Sequence, residues 1–428
     1  KRLDFLKNAG IEIVYLCPVT AQDDDTDESA WSERQKASGL KSPKNPYRVK
    51  DYFNVDSEYG NIDDLVSFIK SAHAKNMYVL LDLVYVHCGP SCHMITEYPA
   101  FVKKDEQGNY VGNQYHFPVL NYENAALRAY MISNMKFWFS LGADGFRLDY
   151  ADAIPQDFWQ QAVAELQSEL ANAVILYEGG AAPVNFVDYR YGFSEQCSLY
   201  AILNGDFPAS DFHKVISESP APEKAAPLLR YIDNHDIITD GVPLHFGGED
   251  EAKQPRVKIN AYFSDDQIMA AHAIIETLDG LPMVYTGYEI GSRAPQSLFS
   301  NRFYGNMHAD LAAADSPVGK DHYCWLKTLC TLRKNTPALY RGETVNKGTA
   351  DEYKRIVRYD RTLAGGKKTT FPRVSVYVNI TKEKSFLPQI VVGENANILA
   401  SRLVEQNENG YEFAPFGVLI AGYEKITA

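Results

Sequence analysis

Apolar positions along this chain follow two alternating rhythms. Short β-branched or aliphatic runs, among them Ile11 to Val19, Met77 to Val86, Asp144 to Asp149 and Ala173 to Tyr177, read as buried strands. Between them lie longer segments with helical spacing: Asp63 to Lys75, Ala125 to Ser140 and Phe158 to Ala171. Further units fall around Phe193 to Asn204, Leu228 to Asp233, and Gln267 to Asp279 followed by Met283 to Tyr285, and Tyr323 to Lys334 reads as the last helix. Buried runs that alternate with amphipathic helices predict βα units and a parallel sheet.

The rhythm breaks twice. From Cys88 to about Asn124 turn chemistry dominates, with Asp105-Glu-Gln-Gly-Asn109 and Asn121-Tyr-Glu-Asn124, which predicts a short excursion inserted after a strand. After Pro337 the pattern turns to short alternating segments such as Arg373-Val-Ser-Val-Tyr-Val-Asn379, the mark of an antiparallel β unit. The expected organisation is a barrel over 1–87, an inserted domain over 88–124, the rest of the barrel over 125–337, and a C-terminal β-sandwich domain over 338–428. About seven strands precede that last boundary, whereas a closed (β/α)₈ barrel needs eight. The missing one is expected upstream, because Lys1-Arg-Leu-Asp-Phe-Leu-Lys-Asn-Ala-Gly10 reads as the end of a helix.

Composition adds limits. With 428 residues, 45% of them hydrophobic, the chain can bury a large core and carry smaller units beside it. A net charge of −13, from 42 Lys and Arg against 55 Asp and Glu, argues against a nucleic-acid or anionic-membrane partner and favours a neutral substrate. No run approaches the ~18 apolar residues of a membrane span. No signal peptide is visible, but the helix-like opening leaves the compartment unassigned. Cys17, Cys324 and Cys330 lie in strand-like or helical runs and read as buried free thiols. His87-Cys88-Gly-Pro-Ser-Cys92-His93 offers spacing for a metal or a small disulfide, with a better use for His87 below.

Four stretches concentrate the chemistry: Asp82-Leu-Val-Tyr-Val-His87, Gly145-Phe-Arg147-Leu-Asp149, Ile175-Leu-Tyr-Glu178 and Tyr231-Ile-Asp-Asn-His235-Asp236. Asp149, Glu178 and Asp236 each follow an apolar run, where a parallel barrel would deliver them to one rim. Glycoside hydrolysis needs one carboxylate as nucleophile or base and one protonated carboxyl as acid; in retaining enzymes the two stand about 5–5.5 Å apart. A third can stabilise the positive transition state. Arg147 shares a strand face with Asp149 and would keep it ionised, while an apolar setting would raise Glu178 toward acid/base work.

With these blocks the chain resembles the α-amylase family of glycoside hydrolases, family 13, along its whole length. The resemblance implies that Asp149 is the nucleophile, Glu178 the general acid/base and Asp236 the transition-state stabiliser. It implies further that Arg147 partners the nucleophile, that His87 and His235 bind hydroxyls of the sugar being cleaved, and that Asp82 supports the site. Tyr47, in Tyr47-Arg-Val-Lys-Asp51-Tyr52, is similar to the tyrosine that stacks on that sugar. Leu281-Pro-Met-Val-Tyr-Thr-Gly-Tyr-Glu289 looks like the eighth strand, and Arg302 beyond it is a candidate sugar contact.

This sequence departs from the family pattern at three places. Val86 stands where Asn usually precedes His, and Val119 where Asp is usual in Leu-Pro-Asp-Leu. Both are ligand positions of the structural calcium in typical α-amylases, and a valine offers no oxygen, so that calcium is expected to be absent and no cofactor is expected. The acidic run Asp23-Asp-Asp-Thr-Asp27 reads as a solvated loop, with a calcium held there as the alternative. Asn45-Pro46, where His-Gly is usual, puts one sugar contact in doubt. The leading expectation is a retaining hydrolase of α-glucosidic bonds in starch-derived glucans or oligosaccharides. A glucanotransferase using the same intermediate is the alternative, and a noncatalytic glucan-binding protein a third reading, disfavoured because the acids, Arg147 and both histidines are all present.

Overall fold

The computed structural model describes residues 2–166, 173–180, 187–216, 226–240, 263–294, 297–299, 311–364 and 369–424. Helix α1 (Arg2–Ala9) leads into strand β1 (Ile13–Leu16), after which the chain leaves the sheet to pair β2 (Thr20–Gln22) with β3 (Val49–Val55), the short helix α2 (Glu33–Ala37) lying between them. Helix α3 (Ile62–His73) begins where Asn61 and Asp64 cap each other reciprocally and buries Leu65, Ile69 and Ala72 on one face. It delivers the chain to β4 (Tyr78–Leu83).

The excursion after β4 is tied down by backbone bridges between His87 and Val119 and between Val102 and Leu120. Asn124 then caps α4 (Ala125–Ser140), whose buried Leu127, Met131, Met135 and Trp138 follow helical spacing. Strand β5 (Gly145–Leu148) follows. A Cβ at Gly145 would stand 2.1 Å from the Val174 carbonyl oxygen, so only glycine lets this strand approach its neighbour. Helix α5 (Gln156–Glu165), β6 (Val174–Tyr177), β7 (Tyr189–Tyr191), α6 (Phe193–Asn204), β8 (Leu228–Arg230), α7 (His235–Asp240), α8 (Asp265–Thr277), β9 (Leu281–Pro282) and α9 (Pro317–Asn335) complete the barrel-forming part.

The seven long-range strands are all parallel, in the order β1-β4-β5-β6-β7-β8-β9. This is the curled sheet of a (β/α) barrel, with β1 and β9 as its edges among the described residues. Helix α1 closes against α9: the Phe5 and Tyr323 rings lie 4.4 Å apart, and Arg2 Nη2 reaches Glu289 Oε1 at 2.5 Å just beyond β9. The last strand lies at Leu281–Pro282 and not at Met283 to Tyr285, although the Met283 N–H still donates to the Arg230 carbonyl at 2.8 Å.

Beyond residue 342 six strands, β10 (Glu343–Thr349), β11 (Ile356–Thr362), β12 (Arg373–Asn379), β13 (Ser385–Pro388), β14 (Asn397–Asn407) and β15 (Gly410–Tyr423), form the antiparallel C-terminal sheet. β15 pairs with β13 through Gly410–Phe413 and with β12 through Val418–Tyr423, so one strand serves both layers. Between the two pairings the strand passes through Phe416, in the left-handed region at φ 58°.

The buried apolar side chains fall into two large clusters. One holds the early strands, α3 to α5 and the inserted segment; the other joins β8, α6 and α8 to Val357, Tyr359, Val376 and Val418 of the C-terminal sheet. They meet at β6, with Ile175 and Tyr177 in the first and Leu176 in the second. All six cysteines are free. Cys324 is exposed, against the expectation of burial, because it lies on the solvent side of α9. No helix among the described residues is long and apolar enough to cross a membrane.

Candidate active site

The β4–β5 register sets Asp82 beside Arg147, both pointing to the same side of the sheet. Arg147 is fully buried. Its Nη1 donates to Asp82 Oδ1 at 2.8 Å, to Asp82 Oδ2 at 3.0 Å and to Asp149 Oδ1 at 2.6 Å, while Nη2 reaches Glu178 Oε1 at 2.5 Å. One guanidinium therefore gathers carboxylates from the ends of three neighbouring strands, which its planar fork of donors allows and a lysine would not.

Asp82 also accepts from the hydroxyls of Tyr15 at 2.9 Å and Tyr47 at 2.8 Å. The Tyr47 hydroxyl stands 2.8 Å from His235 Nε2, and the two rings are nearly parallel at 5.4 Å. Asp236 opens α7, its backbone N–H held by Asn234 Oδ1 at 3.0 Å. These side chains border a pocket of about 560 Å³. Tyr47, His87, Asp149, Glu178 and Asp236 line it, with Arg34, Tyr115 and Phe193 around them.

The electrostatics differ from carboxylate to carboxylate. Burial pushes Asp149 well above the usual carboxylate range; Arg147 pulls it down, and the Glu178 and Asp82 charges push it further up. The expectation that Arg147 alone would hold Asp149 ionised is thus incomplete, because the same guanidinium is shared among three acids. Burial raises Glu178 to about 7 against the pull of Arg147. Asp236 goes the other way: burial would raise it, but nearby positive charge holds it well below the ordinary value. The strongest pull on Asp236 is that of His235 when its ring is charged, but burial lowers the pKa of His235, so near neutral pH the pull falls to Arg34 and Arg147.

His87 sits in the pocket wall, with both ring nitrogens engaged by the protein. Nε2 donates to the Tyr47 carbonyl at 2.8 Å and Nδ1 faces the Asn113 amide at 2.9 Å. Burial lowers it to about 4, so the ring is neutral. In this arrangement His87 fixes the backbone of Tyr47 and has no ring nitrogen left over for a hydroxyl. Arg302 lies outside the described residues.

Two residues not foreseen from the sequence belong to the site. Arg34, on α2, donates to Asp236 Oδ1 at 3.1 Å, bringing the excursion between β2 and β3 over the pocket. The capping pattern Ser32-Glu-Arg-Gln35 was the available signal, yet nothing in it told which way the arginine would point. Tyr150 follows the Asp149 carboxylate in the left-handed region, φ 41° and ψ 47°, which costs a non-glycine residue about 1–2 kcal/mol. Its N–H donates to Glu178 Oε2 at 2.7 Å.

One further expectation changes. Asp23 is not part of a solvated loop: it is fully buried, accepting from Arg48 Nη2 at 3.1 Å and from the Ser91 N–H at 2.7 Å. No group of three or more His, Cys, Asp or Glu among the described residues has the arrangement of a metal site.

The geometry is that of a barrel enzyme with several acids converging at one rim, and known proteins agree. Residues 1–116 match the family described as alpha amylase, catalytic domain. Alpha-amylase 3 of Dictyoglomus thermophilum is 23% identical over 96% of this chain and 81% of its own length. Trehalose synthase/amylase TreS of Mycobacterium tuberculosis is 24% identical over 68% of this chain, which spans 58% of that protein. Among solved structures, a noncanonic maltogenic alpha-amylase AmyB from Thermotoga neapolitana superposes with a TM-score of 0.75 at 21% identity, over 98% of this chain and 92% of the other. Over its first 116 residues the chain thus resembles the alpha-amylase catalytic domain, and along nearly its whole length it shares the fold of amylases in glycoside hydrolase family 13.

Proposed function

We propose that this enzyme is a retaining hydrolase of α-glucosidic bonds in starch-derived glucans or oligosaccharides. The observation that carries the reading is Arg147, whose two Nη atoms hold Asp149 and Glu178 at 2.6 and 2.5 Å. Carboxylates bridged by one guanidinium support the short separation of a retaining pair, about 5–5.5 Å, over the about 6.5–9.5 Å that leaves room for an inverting water.

In the proposed reaction the Glu178 carboxyl gives its proton to the glycosidic oxygen as the C1–O bond breaks, and Asp149 forms the new bond to C1. Glu178, now a carboxylate, takes a proton from water, which attacks C1 and releases Asp149. Asp236, kept ionised by Arg34 and Arg147, is the proposed partner of the sugar's hydroxyls as positive charge builds on the ring. Tyr47, fixed by Asp82 and His235, is proposed as the stacking face for that sugar. Transfer to a second sugar would use the same intermediate, and TreS among the relatives keeps that reading in view.

No structural calcium is assigned to the position it takes in typical relatives. Val86 is buried, its carbonyl accepts the Leu120 N–H at 3.1 Å, and Val119 bridges His87, so backbone pairing joins the two segments where side-chain oxygens would be needed.

The test is an anomer-resolved NMR time course on maltoheptaose with Asp149→Asn as control. New α-anomeric reducing ends from the wild type, and turnover lower on the order of 10⁴-fold in the variant, are expected. First-formed β-anomers would overturn the retaining assignment, and undiminished turnover in Asp149→Asn would overturn the nucleophile.

A further inference from the structure

We propose that Cys88 and Cys92 are a modification site, at which a disulfide donor makes a bond that staples the base of the inserted segment. Both side chains are free and fully buried in the first apolar cluster, and their thiols are in hydrogen-bonding contact with each other. The sequence dictates this approach. In Cys88-Gly-Pro-Ser-Cys92 the Cys92 N–H donates to the Gly89 carbonyl at 3.1 Å, so the chain turns through Pro90 and Ser91 and brings Cys92 back beside Cys88.

The backbone of this turn is already held. The Cys88 N–H donates to the Pro118 carbonyl at 3.0 Å, the Gly89 N–H to the Val49 carbonyl at 2.8 Å, and the Ser91 N–H to Asp23 Oδ2 at 2.7 Å. Pro90 has no N–H to satisfy. A Cβ at Gly89 would stand 2.5 Å from Asp23 Oδ2, so only glycine lets the buried Asp23 come this close. No third ligand joins the two cysteines in a metal site among the described residues, which leaves each thiol to the other. The bond would also anchor one wall of the pocket. Cys88 follows His87, whose ring holds the Tyr47 carbonyl and whose own carbonyl accepts the Tyr52 hydroxyl at 2.8 Å.

In the proposed step the thiolate of one cysteine attacks the donor disulfide and expels one thiolate; the second cysteine's thiolate then attacks the mixed disulfide and expels the other. The cysteine pair gives up two electrons and two protons, and the donor leaves as two thiols. The hydrogen bond with Cys92, and then burial, push the Cys88 thiol up, so exchange on the folded protein is slow and the bond is made as the chain folds.

The test is to produce the protein in the bacterial periplasm, where disulfide donors act on folding chains, and to compare it with the same protein after full reduction. Before reduction the intact mass should be about 2 Da lower, the thiols that react after denaturation should number four instead of six, and peptide mapping should join Cys88 to Cys92. The oxidised form should melt about 2 °C above the reduced one, as closure of so short a loop in so long a chain implies. Cys88→Ser and Cys92→Ala should each abolish the mass difference and the melting difference. Six reactive thiols, or a bond that joins other cysteines in place of this pair, overturn the proposal, and the wild-type map decides this even where a variant fails to fold. A bond that leaves the melting temperature unchanged or lower overturns the staple. None of these readouts uses turnover, so they hold whichever bond the enzyme cleaves.

Discussion

At the scale of single residues, the site is organised by how few positive charges serve its acids. Among the described residues Arg147 is the one cation that meets Asp82, Asp149 and Glu178, and the proton that remains belongs to the Asp149–Glu178 pair as a unit. Glu178 is raised to about 7, so its acid form is full well below that pH and drains away above it. The expected kcat/KM profile therefore has an alkaline limb near pH 7, falling about tenfold per pH unit beyond it. A profile flat to pH 9 would show that the acid lies elsewhere. Much of this cluster was legible in the sequence, because a carboxylate after a short apolar run has one natural place in a parallel barrel. Arg34 and Tyr150 were not legible, since their positions depend on the path of a loop and on one left-handed torsion.

Among the elements, long periodic segments were the readable ones: Ala125 to Ser140 is helical over the span its pattern predicts, and Asp63 to Lys75 shifts by one or two residues. Strand β7, three residues long, was invisible because so short a run shows no periodicity. The α8–α9 contact hides a group that no sequence pattern announced. Glu276 is 3% exposed, meets Cys330 Sγ at 3.8 Å and feels Arg333, and burial raises it to about 7. A carboxyl raised in the folded state contributes stability that is complete below its unfolded pKa and is lost as pH rises through about 7. That loss amounts to about 3 kcal/mol by pH 8.5. Thermal unfolding of wild type and Glu276→Gln at pH 5 and pH 8.5 checks it: the difference between them should move in favour of the glutamine at the higher pH. A gap that does not change with pH would remove this role for Glu276.

Across the whole molecule, the barrel and the C-terminal sheet share one apolar cluster, and Arg361 on β11 reaches the Leu339 and Gly342 carbonyls at 3.1 and 2.6 Å at the junction. The inserted segment is secured by backbone bridges and by the buried Asp23–Arg48 pair, which reaches it through the Ser91 N–H. On this account, prolonged exposure to a strong calcium chelator should leave both turnover and melting temperature unchanged. A drop in either would reveal a cation held by residues outside these contacts.

The meeting of the two clusters at β6 has a practical side. Asp149 is rooted in the first, between Leu148 and Ala151; Asp236 is rooted in the second, between Ile232 and Ile237; Glu178 comes directly after the strand where they join. The spacing of these three carboxylates is thus a measure of how two separately packed halves sit against each other. A small loosening along that line is therefore expected to lower turnover while each half keeps its shape, so that on warming the rate falls before the unfolding signal appears. An engineer seeking a hardier enzyme gains less by filling either core than by stitching the halves together along the sixth strand.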